Sequence, residues 1–350
     1  MKIAPQKLIE LTESVLIAIG ASLEESTLVA RSLVRADMRG IPSHGVNFLT
    51  KIVDRVEKGV LSVPTKTTLI SADGVIAHLD GGNGLGQVAG EKAMQMSIEL
   101  ARNHGMGSVL VRNTNHIGVL ASYTELAAQQ GMLGVCMCNA APSMAPIGGA
   151  EPFMGTNPIS LALPCGDGLP ILFDMATSMV ARGKIRRAVA MGQAIPSGWA
   201  LDEKGCPTTD PVAAMKGSLL PFAGPKGYGL ALFVDLIAGL LSGSKYGREV
   251  LTFHKPLGPT GVGVMTLALN ISRFMPLDHF RQLIAAHADS LRQSSKADGA
   301  QRIYLPGEIE YDREKVSQSE GVEVDSHVID DLNQLSTKFN IGWRQSKDEP

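Results

Sequence analysis

The sequence predicts an α/β fold that is preceded by a helical region. Up to residue 66 the apolar residues keep helical spacing, whereas from about Thr67 short apolar strands alternate with amphipathic helices. At 350 residues and 37.0 kDa, the chain can bury roughly three quarters of its unfolded surface. It therefore needs neither disulfides nor a structural metal to stabilise its core.

Three helices are predicted in the first 66 residues, at 8–19, 22–40 and 48–59. Ser22 and Glu25 have the spacing of a capping box at the start of the second helix. Ser43 lies in the polar turn before the third helix and is a candidate N-cap for it. We assign residues 1–66 to an N-terminal helical region.

The later elements alternate between strands and helices. Predicted strands lie at 67–71, 75–80, 108–112, 133–139, 159–163, 171–173 and 264–270. Predicted helices lie directly after Gly118 and at 87–103, 182–191, 228–241, 277–292 and 328–339. We assign residues 67–290 to an α/β core and residues 291–350 to a C-terminal segment.

The strand at 108–112 ends in a polar turn that carries His116. In open α/β sheets the carboxyl ends of strands form the crevice where ligands bind, so this histidine is placed to exchange protons with a bound molecule. The alternative is an ordinary turn histidine that is hydrogen-bonded to nearby backbone.

The composition excludes several classes of function. Lysine and arginine number 32 against 34 acidic residues, and aromatic residues make up 5% of the chain, so no nucleic-acid surface is expected. The most apolar run, 229–243, is interrupted by Asp235, and the N-terminus has no secretory signal, so we expect a cytoplasmic protein without a membrane span. Four irregularly spaced cysteines predict neither a disulfide framework nor a metal site.

A glycine-rich stretch at 82–90 follows a strand and opens a helix, which is the context of a dinucleotide-binding fingerprint. Its spacing differs from that fingerprint. The next strand also ends in Arg112 and Asn113 rather than in the acidic residue that would hold a ribose. A tight strand-to-helix turn explains these glycines better, so a Rossmann fold is not predicted.

Three polar turns further along the chain indicate a nucleotide-sized site. Gly224-Pro-Lys-Gly-Tyr-Gly229 precedes a long helix, where backbone can approach a phosphate and Lys226 lies beside the positive end of the helix. Asp174-Met-Ala-Thr-Ser178 offers a carboxylate and two hydroxyls for a ribose, and Gly155-Thr-Asn-Pro158 is a third such turn. Each of them could instead be a structural turn or a helix cap.

Eight short motifs occur along the chain in a fixed order: Ser43-His44-Gly45, Asn115-His116-Ile117-Gly118, Pro146-Ile-Gly-Gly149, Gly155-Thr-Asn-Pro158, Asp174-Met-Ala-Thr-Ser178, Pro207-Thr-Thr-Asp-Pro211, Pro225-Lys-Gly-Tyr-Gly-Leu230 and Leu305-Pro-Gly-Glu308. Together they resemble the malate/L-lactate dehydrogenase-type family of NAD(P)-dependent oxidoreductases. That family also includes ureidoglycolate, sulfolactate and 2,3-diketogulonate oxidoreductases. The resemblance runs from the first helix to about residue 330.

The resemblance implies a non-Rossmann mixed-sheet core. It also implies that the C-terminal segment returns to the N-terminal helical region and packs with it. It also implies a homodimer that binds NAD or NADP in an extended cleft of the core. The cofactor residues that it implies are Asn139, Asn157, Asp174, Met175, Ala176, Lys226, Gly227, Pro306, Gly307 and Glu308.

The chemistry of such an enzyme needs a group that takes the hydroxyl proton in oxidation and returns it in reduction. A histidine that titrates near neutrality serves both directions and contributes about 10²–10⁴-fold. Branches of the family assign this proton to the histidine of Ser-His-Gly, here His44, or to that of Asn-His-x-Gly, here His116, and the sequence does not decide between them. Ser43 would orient the imidazole or bond the substrate oxygen, if it is not simply a cap.

The chain departs from its relatives at Phe48. Several members carry an arginine there, which suits a substrate carboxylate. In this chain Lys51, Arg112 or another cation must hold the anion, unless the substrate differs. Ile52 replaces an aromatic residue that ureidoglycolate enzymes tend to have, so we expect a small anionic 2-hydroxy acid like malate, sulfolactate or lactate.

Two alternatives stay open. The family branch that reduces cyclic imines tends to have an acidic residue where Lys184 stands, so a cyclic-imine carboxylate (C=N) reductase ranks second. The altered residue Phe48 also leaves room for a nucleotide-binding relative without turnover. The sequence does not choose between NAD and NADP.

Overall fold

The computed structural model describes residues 1–166 and 168–343. Helices in this part of the chain are α1 (Pro5–Ala18), α2 (Leu23–Met38), α3 (Leu49–Glu57), α4 (Gly86–His104), α5 (Ala121–Gln129), α6 (Arg182–Met191), α7 (Pro211–Lys216), α8 (Pro225–Val234), α9 (Leu277–Gln293), α10 (Glu308–Glu320) and α11 (Ser326–Lys338). Its strands are β1 (Lys2–Ile3), β2 (Thr68–Asp73), β3 (Ile76–Asp80), β4 (Met106–Thr114), β5 (Met132–Cys138), β6 (Ile159–Leu163), β7 (Ile171–Met175), β8 (Ala200–Leu201), β9 (Pro207–Thr208), β10 (Ser218–Leu219), β11 (Val262–Asn270) and β12 (Val322–Glu323). A π-helix, Asp235–Leu241, continues α8.

A seven-stranded sheet in the order β2-β3-β4-β11-β5-β6-β7 forms the core. Strands β3 and β4 run parallel, and every other neighbouring pair in this sheet is antiparallel. Helices α4 and α5 pack on one face, where Ser97 bonds Thr266, and the π-helix packs on the other, against Gly263. This mixed, non-Rossmann sheet confirms the predicted fold class.

The two ends of the chain pack together, as the fold class predicts. Strand β1 pairs with β12, and α10 packs against α2. The buried pair Arg39 and Glu125 (Nη2 to Oε2, 3.1 Å) joins α2 to α5, while Glu314 of α10 accepts from Arg35 and Arg39. The boundaries 1–66, 67–290 and 291–350 stay predictions, and residues 344–350 lie outside the described residues.

A small lobe carries its own apolar cluster. Strands β10, β8 and β9 form a second sheet, and Ile185 of α6 packs with Met144, Met154 and Leu219 around it. Neither this sheet nor α7 was predicted, because two-residue strands leave no period in the sequence. The lobe matters for the site because it supplies α6 and leads into α8.

Some element predictions match the structure to the residue. The bounds of α6 and β6 are as predicted, and the capping box of Ser22 and Glu25 is present. Ser43 is not the N-cap of α3, because it lies within the first of two 3-10 turns that precede that helix. Helix α10 was missed because only Tyr311 is buried along it, so it has no apolar stripe to detect.

The glycines at 82–90 are explained by close packing. An added Cβ at Gly82 would collide with the carbonyl of Lys66, and one at Gly84 with the side chain of Thr65. The stretch is therefore a tight strand-to-helix turn. None of the helices in the described part of the chain is long and apolar enough to cross a membrane.

Candidate active site

The structure brings the two candidate histidines together. His44 lies in the 3-10 turn after α2, His116 lies in the turn after β4, and their ring centroids are 5.1 Å apart. Phe48 stacks on His116 with centroids 4.5 Å apart and lies 6.1 Å from His44. Residues more than seventy positions apart in the sequence thus form one cluster of rings.

A third histidine, which sequence reasoning missed, completes this cluster. Phe253 and His254 each lie 5.7 Å from Phe48, centroid to centroid. Arg55 is fully buried, lies 4.8 Å from the Phe253 ring centroid and donates to the carbonyl of Gly258 at 2.6 Å, which fixes this segment. The segment belongs to none of the eight motifs, so nothing local marked His254 as a site residue.

Asp37 of α2 stabilises the Ser43-His44 turn. Its Oδ2 accepts the N–H of Val46 at 2.7 Å, and Gly45 lies so close to the carboxylate that an added Cβ would collide with it. Burial raises the pKa of Asp37 to about 7. The hydroxyl of Ser43 lies 2.9 Å from Nδ1 of His44, which fixes the imidazole plane.

The His116 turn is fixed by backbone contacts. The N–H of Gly118 donates to Nδ1 of His116 at 3.2 Å, and the hydroxyl of Tyr123 donates to the carbonyl of Ile117. Gly86, at the start of α4, packs directly against the His116 carbonyl. Because Nδ1 accepts a hydrogen bond, the neutral ring carries its proton on Nε2.

The three imidazoles are neutral near pH 7. Burial lowers the pKa of His44 to about 4 and that of His116 well below its ordinary value. The pKa of His254 falls to about 4, through burial first and then through the charges of Lys51 and Arg186. Neutral imidazole accepts a proton from a hydroxyl or donates a hydrogen bond to an oxyanion, so the cluster suits chemistry at a carbinol carbon.

Of the two cations named from the sequence, Lys51 lies beside the rings. Its Nζ is 4.9 Å from the Phe48 ring centroid and donates to the Asn47 carbonyl at 2.9 Å. Arg112 instead forms an ion pair with Asp80, Nε to Oδ2 at 2.9 Å. Lys51 is therefore the better placed of the two for a substrate anion.

The predicted cofactor residues lie on adjoining segments. The Thr177 N–H donates to the carbonyl of Thr156 at 2.8 Å, and the Phe222 N–H donates to the carbonyl of Thr177 at 3.0 Å. These bonds bring three groups into one neighbourhood: Asn157, the run Asp174, Met175 and Ala176, and the pair Lys226 and Gly227 at the start of α8.

The chemistry of this neighbourhood fits a nucleotide. The exposed Lys226 side chain has no ion pair or hydrogen bond to any described residue, at a helix N-terminus that suits a phosphate. Gly224 has φ +59° and leaves open space before the helix. Asp174 is exposed, and its Oδ2 accepts the Ala121 N–H at 2.7 Å at the start of α5, the helix that follows the His116 turn.

The third predicted cofactor segment lies against the same strand, β7. The Pro306 carbonyl accepts the N–H of Leu172 at 3.1 Å, and Gly307, with φ +92°, packs tightly on Leu172. Glu308 begins α10 and forms an ion pair with Arg292 at 2.7 Å. A cavity of about 300 Å³ borders Pro306 and Glu308. This segment therefore adjoins the strand that carries Asp174.

The two predicted asparagines are buried and engaged in the protein. Nδ2 of Asn139 donates to Oδ1 of Asp235 at 3.1 Å and to the Lys245 carbonyl at 2.8 Å. Nδ2 of Asn157 donates to the Ala231 carbonyl at 2.9 Å. Both side chains tie strand ends to α8 and its π-helix, and their contact with a cofactor stays a prediction.

Cys136 and Cys138 are buried on one face of β5. Within residues 1–166 and 168–343, no group of three His, Cys, Asp or Glu side chains is arranged to hold a metal ion.

Residues 3–333 match the family model described as malate/L-lactate dehydrogenase. L-sulfolactate dehydrogenase from Methanocaldococcus jannaschii is 36% identical over 341 residues, which cover 97% of this chain and 98% of that protein. Malate dehydrogenase from Pyrococcus abyssi is 37% identical over 349 residues, covering 97% and 96%.

Solved structures agree with these matches. Sulfolactate dehydrogenase from M. jannaschii superposes with a TM-score of 0.92 at 35% identity and covers 97% of this chain and 98% of its own. Delta1-piperideine-2-carboxylate reductase from Pseudomonas syringae superposes with a TM-score of 0.85 at 27% identity, covering 96% and 99%.

Proposed function

The chain belongs to the malate/L-lactate dehydrogenase family, and on that premise we propose that it transfers a hydride between NAD or NADP and a small anionic 2-hydroxy acid. The observation that carries the proposal is the meeting of His44 and His116, 5.1 Å apart, next to the cation of Lys51. Neutral imidazoles can move the proton, and the cation can bind the anionic group. The expected substrate resembles malate, sulfolactate or lactate.

The cofactor, when bound, accepts or donates the hydride. The residues that would hold it are Asp174 to Ala176, Lys226 with Gly227, and Pro306 to Glu308. The ammonium of Lys226, which pairs with no described residue, lies at the start of α8 and suits a phosphate, and the exposed carboxylate of Asp174 suits ribose hydroxyls. The proposal covers both NAD and NADP.

The different hydrogen bonds of the two histidines support different roles. Because Nδ1 of His116 accepts the Gly118 N–H, its Nε2–H is the group that would donate to the substrate oxygen and stabilise negative charge there. With Nδ1–H of His44 donating to the Ser43 hydroxyl oxygen 2.9 Å away, the free Nε2 of His44 would take the hydroxyl proton in oxidation and return it in reduction.

Oxidation of NADH and NADPH, followed by absorbance against 2-oxo acids, tests the proposal. The panel is oxaloacetate, 3-sulfopyruvate, pyruvate and 2,3-diketogulonate. Turnover of one of them supports the dehydrogenase. NADH binding without turnover of any oxo acid or imine would instead identify a nucleotide-binding protein without catalysis.

Reduction of a cyclic imine carboxylate is the second candidate. The superposition on a piperideine-2-carboxylate reductase favours it, whereas Lys184, exposed on α6 where that branch tends to be acidic, disfavours it. Piperideine-2-carboxylate added to the same panel separates the two enzymes. The homodimer and the cytoplasmic location stay predictions, and light scattering on the purified protein tests the first.

A further inference from the structure

A buried guanidinium joins three helices around the candidate site. Nε of Arg39 donates to Oε2 of Glu314 at 2.7 Å, and its Nη2 donates to Oε2 of Glu125 at 3.1 Å. The side chains of Arg39 and Glu125 are each 3% exposed, so this pair is withdrawn from water. Cζ of Arg39 also lies 4.8 Å from the ring centroid of Tyr311. One side chain thus connects the end of α2 to α5 and to α10.

The chain runs directly from Arg39 to His44. Arg39 follows the last residue of α2 and stands five positions before that histidine. The Ile41 N–H donates to the Ala36 carbonyl at 2.8 Å, and the His44 N–H donates to the Ile41 carbonyl at 3.0 Å. Because these bonds close the intervening turn, a shift of Arg39 also shifts the ring of His44.

The two carboxylates belong to helices that begin at other parts of the site. Glu125 lies in α5, which begins five residues after His116 and whose first N–H donates to Oδ2 of Asp174 at 2.7 Å. Glu314 lies in α10, which begins at Glu308 of the third predicted cofactor segment. The guanidinium therefore contacts the helices that follow the second histidine and the cofactor segment.

Arg35 contacts the same carboxylates from one turn earlier in α2. Its Nε lies 2.6 Å from Oε1 of Glu314, and its Nη1 lies 2.8 Å from Oε2 of Glu125. The two arginines and the two carboxylates balance each other, so this cluster has no excess charge with which to bind an anion. What Arg39 supplies is geometry, because a planar guanidinium holds two carboxylates at fixed angles and an ammonium does not.

We propose that Arg39 is a positioning residue, which holds the ring of His44 in place relative to His116 and to the cofactor segment at 306–308. The inference rests on the proposed function. Arg39 acts through its helix partners, and the separation that it maintains is the 5.1 Å between the two ring centroids. Such positioning matters to the rate, because a displacement of about 1 Å costs about 10²-fold.

Steady-state kinetics of Arg39→Lys test the proposal, because this variant keeps the charge and loses the planar fork. Its kcat with the 2-oxo acid that the wild-type protein reduces should fall by at least about tenfold. Its KM and its Kd of NADH should stay within about threefold, since Arg35 still holds both carboxylates. An unchanged kcat, or an equal loss in kcat and in NADH affinity, would overturn the inference.

The matched control is Arg35→Lys. Arg35 has the same two partners, but it lies about 6 Å further from the His44 turn along the helix axis, and its side chain is 34% exposed. Its variant should keep kcat within about twofold of wild type. Equal losses of kcat in the two lysine variants would overturn the assignment to Arg39.

A charge-balanced pair of substitutions separates positioning from stability. Arg39→Met alone removes a buried cation from Glu125 and should lower the urea midpoint of unfolding. Adding Glu125→Gln removes the excess negative charge and should restore most of that midpoint, while kcat stays at least about tenfold below wild type. Recovery of kcat together with the midpoint would show a merely structural role and overturn the inference.

NMR of the imidazoles tests the inference without any substrate. In protein labelled with ¹³C-histidine, single His→Gln variants assign the resonances of His44 and His116. Arg39→Lys should shift the His44 resonance, and Arg35→Lys should leave it in place. Equal shifts in the two variants, or none in Arg39→Lys, would overturn the inference. Absence of turnover with every oxo acid would instead overturn the proposed function, and the NMR result would still decide the role of Arg39.

Discussion

Gly45→Ala tests how the structure positions His44. The backbone of Gly45 lies at φ −90° and ψ −157°, an extended conformation that alanine adopts without strain. The added Cβ would instead lie within 3.0 Å of all three atoms of the Asp37 carboxylate, closer than real Cβ contacts. Asp37 would have to move, and its 2.7 Å hydrogen bond from the Val46 N–H would be lost.

The expected cost follows from these two effects. Overpacking costs about 1–3 kcal/mol, and loss of a hydrogen bond to a charged acceptor costs about 1.5–3 kcal/mol. We therefore expect Gly45→Ala to lower the free energy of unfolding by about 2.5–6 kcal/mol. Because the same turn carries His44, a shift of about 1 Å should also lower kcat by about 10²-fold, with the Kd of NADH near that of wild type.

A double-mutant cycle of Gly45 and Asp37 tests these values, with urea unfolding for the free energy of unfolding and steady-state kinetics for kcat. Asp37→Ala removes the carboxylate that the new methyl group meets, so adding Gly45→Ala to it should cost less than about 0.5 kcal/mol. Additive costs in the double variant, or a Gly45→Ala protein as stable and active as wild type, would refute the reasoning.

The remaining predictions concern protons and the cofactor. His116→Ala should lower kcat at least about 10²-fold with the Kd of NADH little changed. Lys226→Ala should instead raise the Kd of NADH and leave kcat near that of wild type. Stopped-flow kinetics measure the rate, and fluorescence titration measures the Kd of NADH. Since the pKa of His44 is about 4 and a protonated ring cannot accept a proton, kcat/KM for hydroxy acid oxidation should fall on acidification only as pH approaches about 4. An acid limb at the ordinary histidine pKa would contradict this. Asp37 takes up a proton on folding, because its pKa is about 7 in the fold and about 3.9 in the unfolded chain. Its contribution to the free energy of unfolding should therefore fall as pH rises from about 4 to 7, and Asp37→Asn should abolish that pH dependence.

Periodicity and motifs were enough to predict the fold class and most long elements. Helix α6 could be placed to the residue because Ile185, Ala188 and Val189 recur at helical spacing and Gly192 follows it, and strand β6 because its apolar run follows Pro158. Helix α10 could not, since ion pairs such as Arg39 to Glu314 hold it rather than an apolar stripe. Long-range charge pairing leaves no local period.

Some residues of the candidate site could likewise be predicted from the sequence, and others could not. His44 and His116 belong to short motifs, so the sequence could identify them as candidate site residues. Only the fold shows that their ring centroids lie 5.1 Å apart. His254 lies outside the motifs, on a loop, and only packing brings it to the rings. Residues whose role depends on tertiary neighbours were therefore beyond the sequence.

The most direct test of the dehydrogenase assignment is the rate of NADH and NADPH oxidation by oxaloacetate and 3-sulfopyruvate. We predict multiple turnovers with at least one of these 2-oxo acids and loss of that rate in His116→Ala. Tight NADH binding with no oxidation by any 2-oxo acid would contradict it.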